Sequence, residues 1–166
     1  MACDQDGLEI IDVSDPANPH LASTYSLGAV YDVFVYGNYA YVSASYNLVI
    51  IDISNPSAPS CAGIYYTSGP VIDEFILDNF AYIANDSAGV QILDISDPTH
   101  PDSIGGYDTP GEACGVFVSG NYAYVADYVA GVQILDISQL ANPYALGAMT
   151  LQASLMISAF PEITST

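Results

Sequence analysis

Four carboxylates stand at the same place in one recurring phrase. Asp12, Asp52, Asp94 and Asp136 are third in IIDVSDPANP (10–19), IIDISNPSAP (50–59), ILDISDPTHP (92–101) and ILDISQLANP (134–143). An Asp followed by small polar residues and Pro can accept backbone N–H bonds just downstream and so set an Asx-type turn. That structural turn role is the expectation. The alternative use of such a ring of carboxylates is to hold a ligand or a hard cation such as calcium, which prefers oxygen donors.

Other chemistry-bearing residues form no constellation. His20 and His100 both fall in the Pro-rich stretch after the phrase, which reads as an exposed turn. Asp4, Asp6, Asp86 and Asp127 lack the regular spacing of a calcium loop. Asn85-Asp86-Ser87 fits the glycosylation pattern and lies in a loop, but such triplets are common by chance. Three cysteines at 3, 61 and 114 make neither a disulfide framework nor a metal motif, and read as small buried residues in strands. No nucleophile–base pair and no pair of carboxylates stands out by spacing. No catalytic residue and no cofactor is therefore assigned, and the identity of any metal stays open.

The elements that would position these residues repeat with the phrase, whose starts lie 40, 42 and 42 residues apart. A fixed period of this size marks a repeat array. In the most complete unit, VYDVFVYG (30–37), YAYVSAS (39–45), LVIIDIS (48–54) and CAGIYYT (61–67) read as four short strands, separated by turn signals such as Gly37-Asn38 and Asn55-Pro56. The next unit repeats the order in VIDEFILD (71–78), FAYIAND (80–86), GVQILDIS (89–96) and DSIGGYDT (102–109), and the following one in CGVFVSG (114–120), YAYVADY (122–128), GVQILDIS (131–138) and YALGAM (144–149). Four-stranded antiparallel meanders of about 42 residues are propeller blades. The fold class is all-β, a partial or open propeller of about three full blades plus a partial N-terminal one. The nearly continuous apolar run of each third strand fits sheets covered on both faces.

Composition limits the partners. Nineteen acidic residues and no Lys or Arg leave a formal charge of −19. No salt bridge to Lys or Arg can form, and nucleic acid is a poor partner because phosphate binding needs cations. Self-repulsion should weaken the fold at low salt, and divalent cations or mild acid should relieve it. The apolar runs are too short for a membrane span, and no basic start followed by an apolar run marks a signal peptide.

Both ends break the pattern. MACDQDGLEIID aligns without a gap on IANDSAGVQILD (83–94), so Met1 falls inside a second strand. The repeats run near 1–27, 28–69, 70–111 and 112–147, and 148–166 resembles none of them. Read one base late, Met149-Thr150 forces Asp, 42 residues after Asp108, and Met156-Ile157 forces Asp at the place of Asp32. The remaining codons allow GYDTPGE and a GNYAY-like strand. The expectation is a single 1–147 repeat array, a fragment of a larger propeller, followed by an out-of-frame tail over 148–166.

LVIIDIS (48–54) and the two GVQILDIS copies, together with GNYAYVSAS (37–45), DNFAYIAND (78–86) and GNYAYVADY (120–128), resemble LVIVD-repeat proteins. The resemblance covers about residues 1–147. It implies a β-propeller-like module of bacterial or archaeal secreted and surface proteins, with no common activity and no catalytic set to carry over. One departure is Gln139-Leu140, where the other copies have Asp-Pro or Asn-Pro; it bears on the turn after the last third strand.

The expected function is accordingly a non-catalytic interaction module of a secreted or cell-surface protein, with a protein or carbohydrate partner. The second-to-third strand loops and inter-blade connections, which share one end of the blades and vary most, are the expected binding face. Two alternatives stay open: an enzyme or ligand-binding propeller whose site needs the complete ring, and a self-assembling protein that pairs through open blade edges.

Overall fold

The computed structural model describes residues 2–3 and 7–150. The described residues form four antiparallel sheets in chain order. The first holds β1 (Ala2–Cys3), β2 (Gly7–Asp12) and β3 (His20–Tyr25). The second is β4 (Val30–Tyr36), β5 (Tyr39–Ala44), β6 (Asn47–Asp52) and β7 (Ser60–Tyr66). The third is β8 (Asp73–Leu77), β9 (Phe80–Ala84), β10 (Val90–Asp94) and β11 (Asp102–Tyr107). The fourth is β12 (Gly115–Ser119), β13 (Tyr122–Ala126), β14 (Val132–Asp136) and β15 (Tyr144–Met149). Each is a meander with sequential neighbours paired. The helical content of the described residues is one 3-10 turn, Tyr128–Ala130, and no helix is long and apolar enough to cross a membrane. The expected tail lies outside the described residues from 151 onward, while Ala148 and Met149 pair with Gln133 and Val132 at the end of β15.

The sheets are blades stacked face to face, with a separate apolar layer at each of three seams. Leu8 meets Ala40, Val42 and Ile51 between the first and second blades. Tyr41, Leu48 and Ile50 meet Ile76, Ile83 and Leu93 between the second and third. Val90 and Ile92 meet Val118, Val125 and Leu135 between the third and fourth. Each fully buried aliphatic side chain contributes about 1.5–3 kcal/mol, so a blade covered on both faces has two such layers. This is why Leu48–Ile51 are all buried, an uninterrupted apolar run in a strand.

Two features recur once per blade. The third and fourth strands pair with a bulge, at Ile10/Ile11, Ile50/Ile51, Ile92/Leu93 and Ile134/Leu135. At the bulge, the turn of the following blade comes down onto the fourth strand. A Cβ on Gly63 would lie 2.3 Å from the Pro98 carbonyl oxygen, and one on Gly105 would lie 2.3 Å from that of Leu140. In the first blade the equivalent residue is Ser23, whose hydroxyl donates to the Pro56 carbonyl at 2.5 Å. At Gly63 and Gly105 a side chain has no room because backbone approaches backbone, whereas at Ser23 a hydroxyl bond takes the place of that approach. The seams are thus held by apolar layers and by one close backbone contact at the rim.

Two expectations need correction. Cys61 and Cys114 are free and exposed. Cys61 lies on the outermost strand opposite Ile51. Cys114 precedes β12 and its thiol donates to the Ala126 carbonyl at 3.3 Å. His20 belongs to β3, paired with Asp12, whereas His100 stays in a turn; both are exposed.

Candidate functional site

The four phrase carboxylates do the same thing in each blade. The Oδ1 atoms of Asp12, Asp52, Asp94 and Asp136 accept the backbone N–H of Ser14, Ser54, Ser96 and Ser138, each at 2.8 Å. One turn further on, the backbone N–H groups of Asn18, Ala58, His100 and Asn142 donate to the carbonyls of Asp15, Asn55, Asp97 and Gln139. The Gln139-Leu140 departure keeps that backbone bond, while the side-chain bonds that Asp15, Asn55 and Asp97 accept from the N–H of Ala17, Ser57 and Thr99 belong to the other three turns. The bonds hold the carboxylates below their ordinary range. Asp12 is lowered first by the Ser14 N–H; Asp52, Asp94 and Asp136 are lowered first by the serine hydroxyl and then by its N–H. An ionised carboxylate that accepts local N–H bonds has one oxygen committed to the turn. One neighbour differs: Tyr144 donates its hydroxyl to Asp136 Oδ2 at 3.0 Å.

A second set of carboxylates lies where the first strands of the blades meet, and sequence reasoning did not single it out. Asp32 on β4 and Asp73 on β8 occupy the same repeat position, taken by Gly115 in the fourth blade. Asp73 Oδ2 accepts the Val116 N–H of the next blade at 2.7 Å. Burial pushes the Asp73 carboxyl up to about 7, and a hydrogen bond shared with Asp32 adds to the rise. Glu74 is buried and accepts the Ser43 hydroxyl on its Oε2, while its Oε1 has no partner. Burial holds the Glu74 carboxyl well above its ordinary range. With no Lys or Arg in the chain, protons are what neutralise these groups. The available signal was an acid in an apolar column, since the repeat places Val33 and Val116 where Glu74 stands. Beside the carboxylates the rings of Phe34, Phe75 and Phe117 stack edge to face, with centroids 5.6 and 5.1 Å apart.

The loops at the end of the blades where the second strands turn into the third are built to one plan. Ser45, Asp86 and Tyr128 share a repeat position and all have positive φ, 52°, 51° and 42°. That turn lets the Ser45 carbonyl accept the Val71 N–H, and lets Asp86 exchange two backbone bonds with Ala113. The loops of the second and third blades are therefore tied to the inter-blade connections that follow them. Inside the third blade's loop, the Asn85 amide is buried with one end against the Gly69 and Pro70 carbonyls, and the orientation that satisfies both places its nitrogen there as donor, at 2.6 and 3.1 Å. This removes Asn85 as a glycan acceptor in the folded chain. Asp127, its counterpart, is fully buried and accepts the Gly111 N–H at 3.0 Å. Asp4 and Asp6 lie outside the described residues. Among the described residues no three His, Cys, Asp or Glu side chains are arranged to hold a metal ion.

On top of this tied platform the side chains are aromatic. Tyr31, Tyr46 and Tyr66 of the second blade and Tyr128 of the fourth are all about half exposed or more, and Val129 is 76% exposed. Tyr31 is the extra residue of a bulge between Val30 and Asp32. Tyr46 sits in the β5–β6 turn, and its carbonyl accepts both the N–H and the hydroxyl of Thr67, just after Tyr66. Near the third blade's loop is a polar hollow of about 300 Å³ lined in part by Ser68, Asn85, Gln91, Ser103 and Asp108. It opens where Gly106 replaces the Ile64 of the second blade across from the third strand. Gln91 Nε2 donates to Tyr65 Oη at 3.0 Å and to Ser103 Oγ at 3.3 Å.

The period found in the sequence is also found by comparison. The LVIVD repeat family matches four times, over residues 2–26, 27–67, 69–109 and 110–150. No curated protein matches the chain. The matched repeats take in most of the 166 residues and coincide with the four sheets. The chain belongs to the LVIVD repeat family.

Proposed function

We propose that this repeat module is a non-catalytic interaction domain of a secreted or cell-surface protein, and that it binds through the end of the blades bearing the second-to-third strand loops. The observation that carries the reading is the exposed set Tyr31, Tyr46, Tyr66 and Tyr128 at one end of the blades, where the loops of the second and third blades are tied by backbone bonds to the inter-blade connections and that of the fourth through the Asp127 carboxylate. Tyrosine supplies large contact area at low entropic cost, and a pre-ordered loop loses little freedom on binding. Because the surface carries acids and no Lys or Arg, the partner it fits is a basic protein segment or a neutral carbohydrate. The extracellular setting is the one the family resemblance implies.

The test uses the full chain and a Tyr46→Ser/Tyr66→Ser/Tyr128→Ser variant, screened in parallel on a glycan array and a displayed random-peptide library. The reading expects ligands that the native protein captures and the triple variant loses. Ligands bound equally by both proteins, or turnover in a panel of hydrolase and oxidoreductase substrates, would overturn it. Biotinylation of intact source cells with a membrane-impermeant, carboxylate-directed reagent reports on location: labelling that appears only after lysis would place the protein inside.

A further inference from the structure

The seam between the second and third blades carries a hollow that the repeat does not dictate. Gln91 on β10 pairs with Gly106 on β11, and the same pair in the second blade is Val49 and Ile64. With glycine at that place no side chain fills the space, and about 300 Å³ is left open. Two residues further on, the second blade has Tyr66 and the third has Asp108, which lines the hollow and is exposed. The third blade thus has a carboxylate where its neighbour has a ring. All of the walls come from residues 68–108, inside the array.

The walls are rich in acceptors and contain no cation. Ser68 comes from the connection between the two blades, Asn85 from the β9–β10 loop, Gln91 from β10 and Ser103 from β11. The Gln91 amide is fixed by its Nε2 bonds to Tyr65 Oη and Ser103 Oγ, and its enclosed Oε1 has no partner. An acceptor left unmet in a wall is destabilising, and a donor that reaches it removes that cost. Among the described residues Asp108 has no ion-pair partner: the chain has no Lys or Arg, and the two His lie beside Asp12 and Asp97. Rings are turned to other work. Tyr107 lines the hollow but packs on the apolar layer between the third and fourth blades, and Tyr65 packs on the layer between the second and third. A sugar would therefore find acceptors here without an aromatic face to stack on.

We propose that this hollow receives an arginine side chain of a partner protein, with Asp108 pairing with the guanidinium and the Ser68 and Ser103 hydroxyls and the wall amides accepting its remaining N–H groups. A guanidinium presents N–H donors in a planar fork and no acceptor, the complement of this lining. The volume is at the small end of ligand pockets and suits one long side chain. The chain's charge of −19 attracts a cation and speeds its approach. Of a basic segment and a carbohydrate, the hollow selects the former; this rests on the reading that this end of the blades is the binding end.

The experiment is an NMR titration of the isotope-labelled full chain with N-acetyl-argininamide, and separately with methyl glucoside, in about 20 mM salt, where screening is weak. The arginine probe should bind with a Kd on the order of 1 mM and shift the amides of Ser68, Ser103, Gly105 and Gly106, while the glucoside should not bind. Asp108→Asn should weaken binding on the order of tenfold. Asp78→Asn removes the same charge from the exposed β8–β9 turn at the other end of the blades, and should bind as the native chain does. The probe reports on the hollow and the library screen on the tyrosines, so each can fail while the other stands. No arginine binding up to about 50 mM, glucoside binding at these residues, or equal weakening by Asp78→Asn and Asp108→Asn would each overturn the proposal.

Discussion

The third and fourth blades contain the same eight residues, GVQILDIS, at 89–96 and 131–138. In both copies the strand spans Val-Gln-Ile-Leu-Asp, the bulge falls between Ile and Leu, and the Asp accepts the Ser N–H at 2.8 Å. Their burial differs. Leu93 and Leu135 are both fully buried, but Ile92 is fully buried and Ile134 is not. Identical sequence therefore produces identical local structure and unequal packing. Among the described residues, another blade lies against that face of the third blade and none against that of the fourth.

The largest effect expected from this pair is in truncation. Ile92→Ala should destabilise the chain by about 2–5 kcal/mol, as cavity-forming changes in closed cores do. Ile134→Ala, in a half-open layer, should cost less than half of that, since water can occupy the space. Urea titration of both variants measures the gap; equal losses would mean that the fourth blade's outer face is as closed as the third's.

The next effect concerns the seam carboxylates, which the third blade has and the fourth lacks. The Asp73 carboxyl, raised from 3.8 to about 7, keeps its proton in the folded chain at pH values where the unfolded chain has lost it. Its stabilisation is whole below about pH 4 and is lost as pH rises through about 7. Glu74 acts in the same direction. The turn carboxylates act in the opposite direction: their lowered values stabilise the fold above the ordinary carboxylate range, and that contribution is lost as pH falls. The native chain should be most stable in mild acid. Asp73→Asn mimics the protonated form, and should flatten the fall between pH 4 and 7 by up to roughly 4 kcal/mol. Thermal melts across pH 4–8 check this; a variant with the native slope would remove Asp73 from the account.

The smallest effect is at the turns. Asp94→Ala and Asp136→Ala each remove one Asx bond from an exposed turn. Both losses should be smaller than that of Ile92→Ala. Asp136→Ala should cost slightly more, because it also leaves Tyr144 Oη without its acceptor. Reversal of that order in parallel melts would show that the tyrosine bond contributes nothing.

The strands, their order and the repeat were legible because they rest on local rules: β-branched and aromatic runs, turn dipeptides and a 42-residue period. The turn-forming geometry at Asp12, Asp52, Asp94 and Asp136 is local in the same sense, with donor and acceptor two residues apart. The seam carboxylates were not legible, because the partners of Asp73 are Asp32, 41 residues earlier, and Val116, 43 residues later. Nor were the buried roles of Asn85 and Asp127, which bond to inter-blade connections 15 and 16 residues away and look in sequence like ordinary loop polars. Cys61 was misplaced for the same reason, since strand membership does not say whether a strand is the outermost, and Cys114 lies just before β12 rather than in it.

What the amino-acid sequence determines alone is the blade: four strands, a bulge and an Asx turn, set by interactions that close within one repeat. What only the tertiary structure decides is which face of each blade is covered, which acids lose contact with water and which glycines receive a neighbouring turn. These depend on the stacking of one repeat upon another. A side chain's burial is a property of the seam, and the same GVQILDIS has a closed face in one blade and an open one in the next.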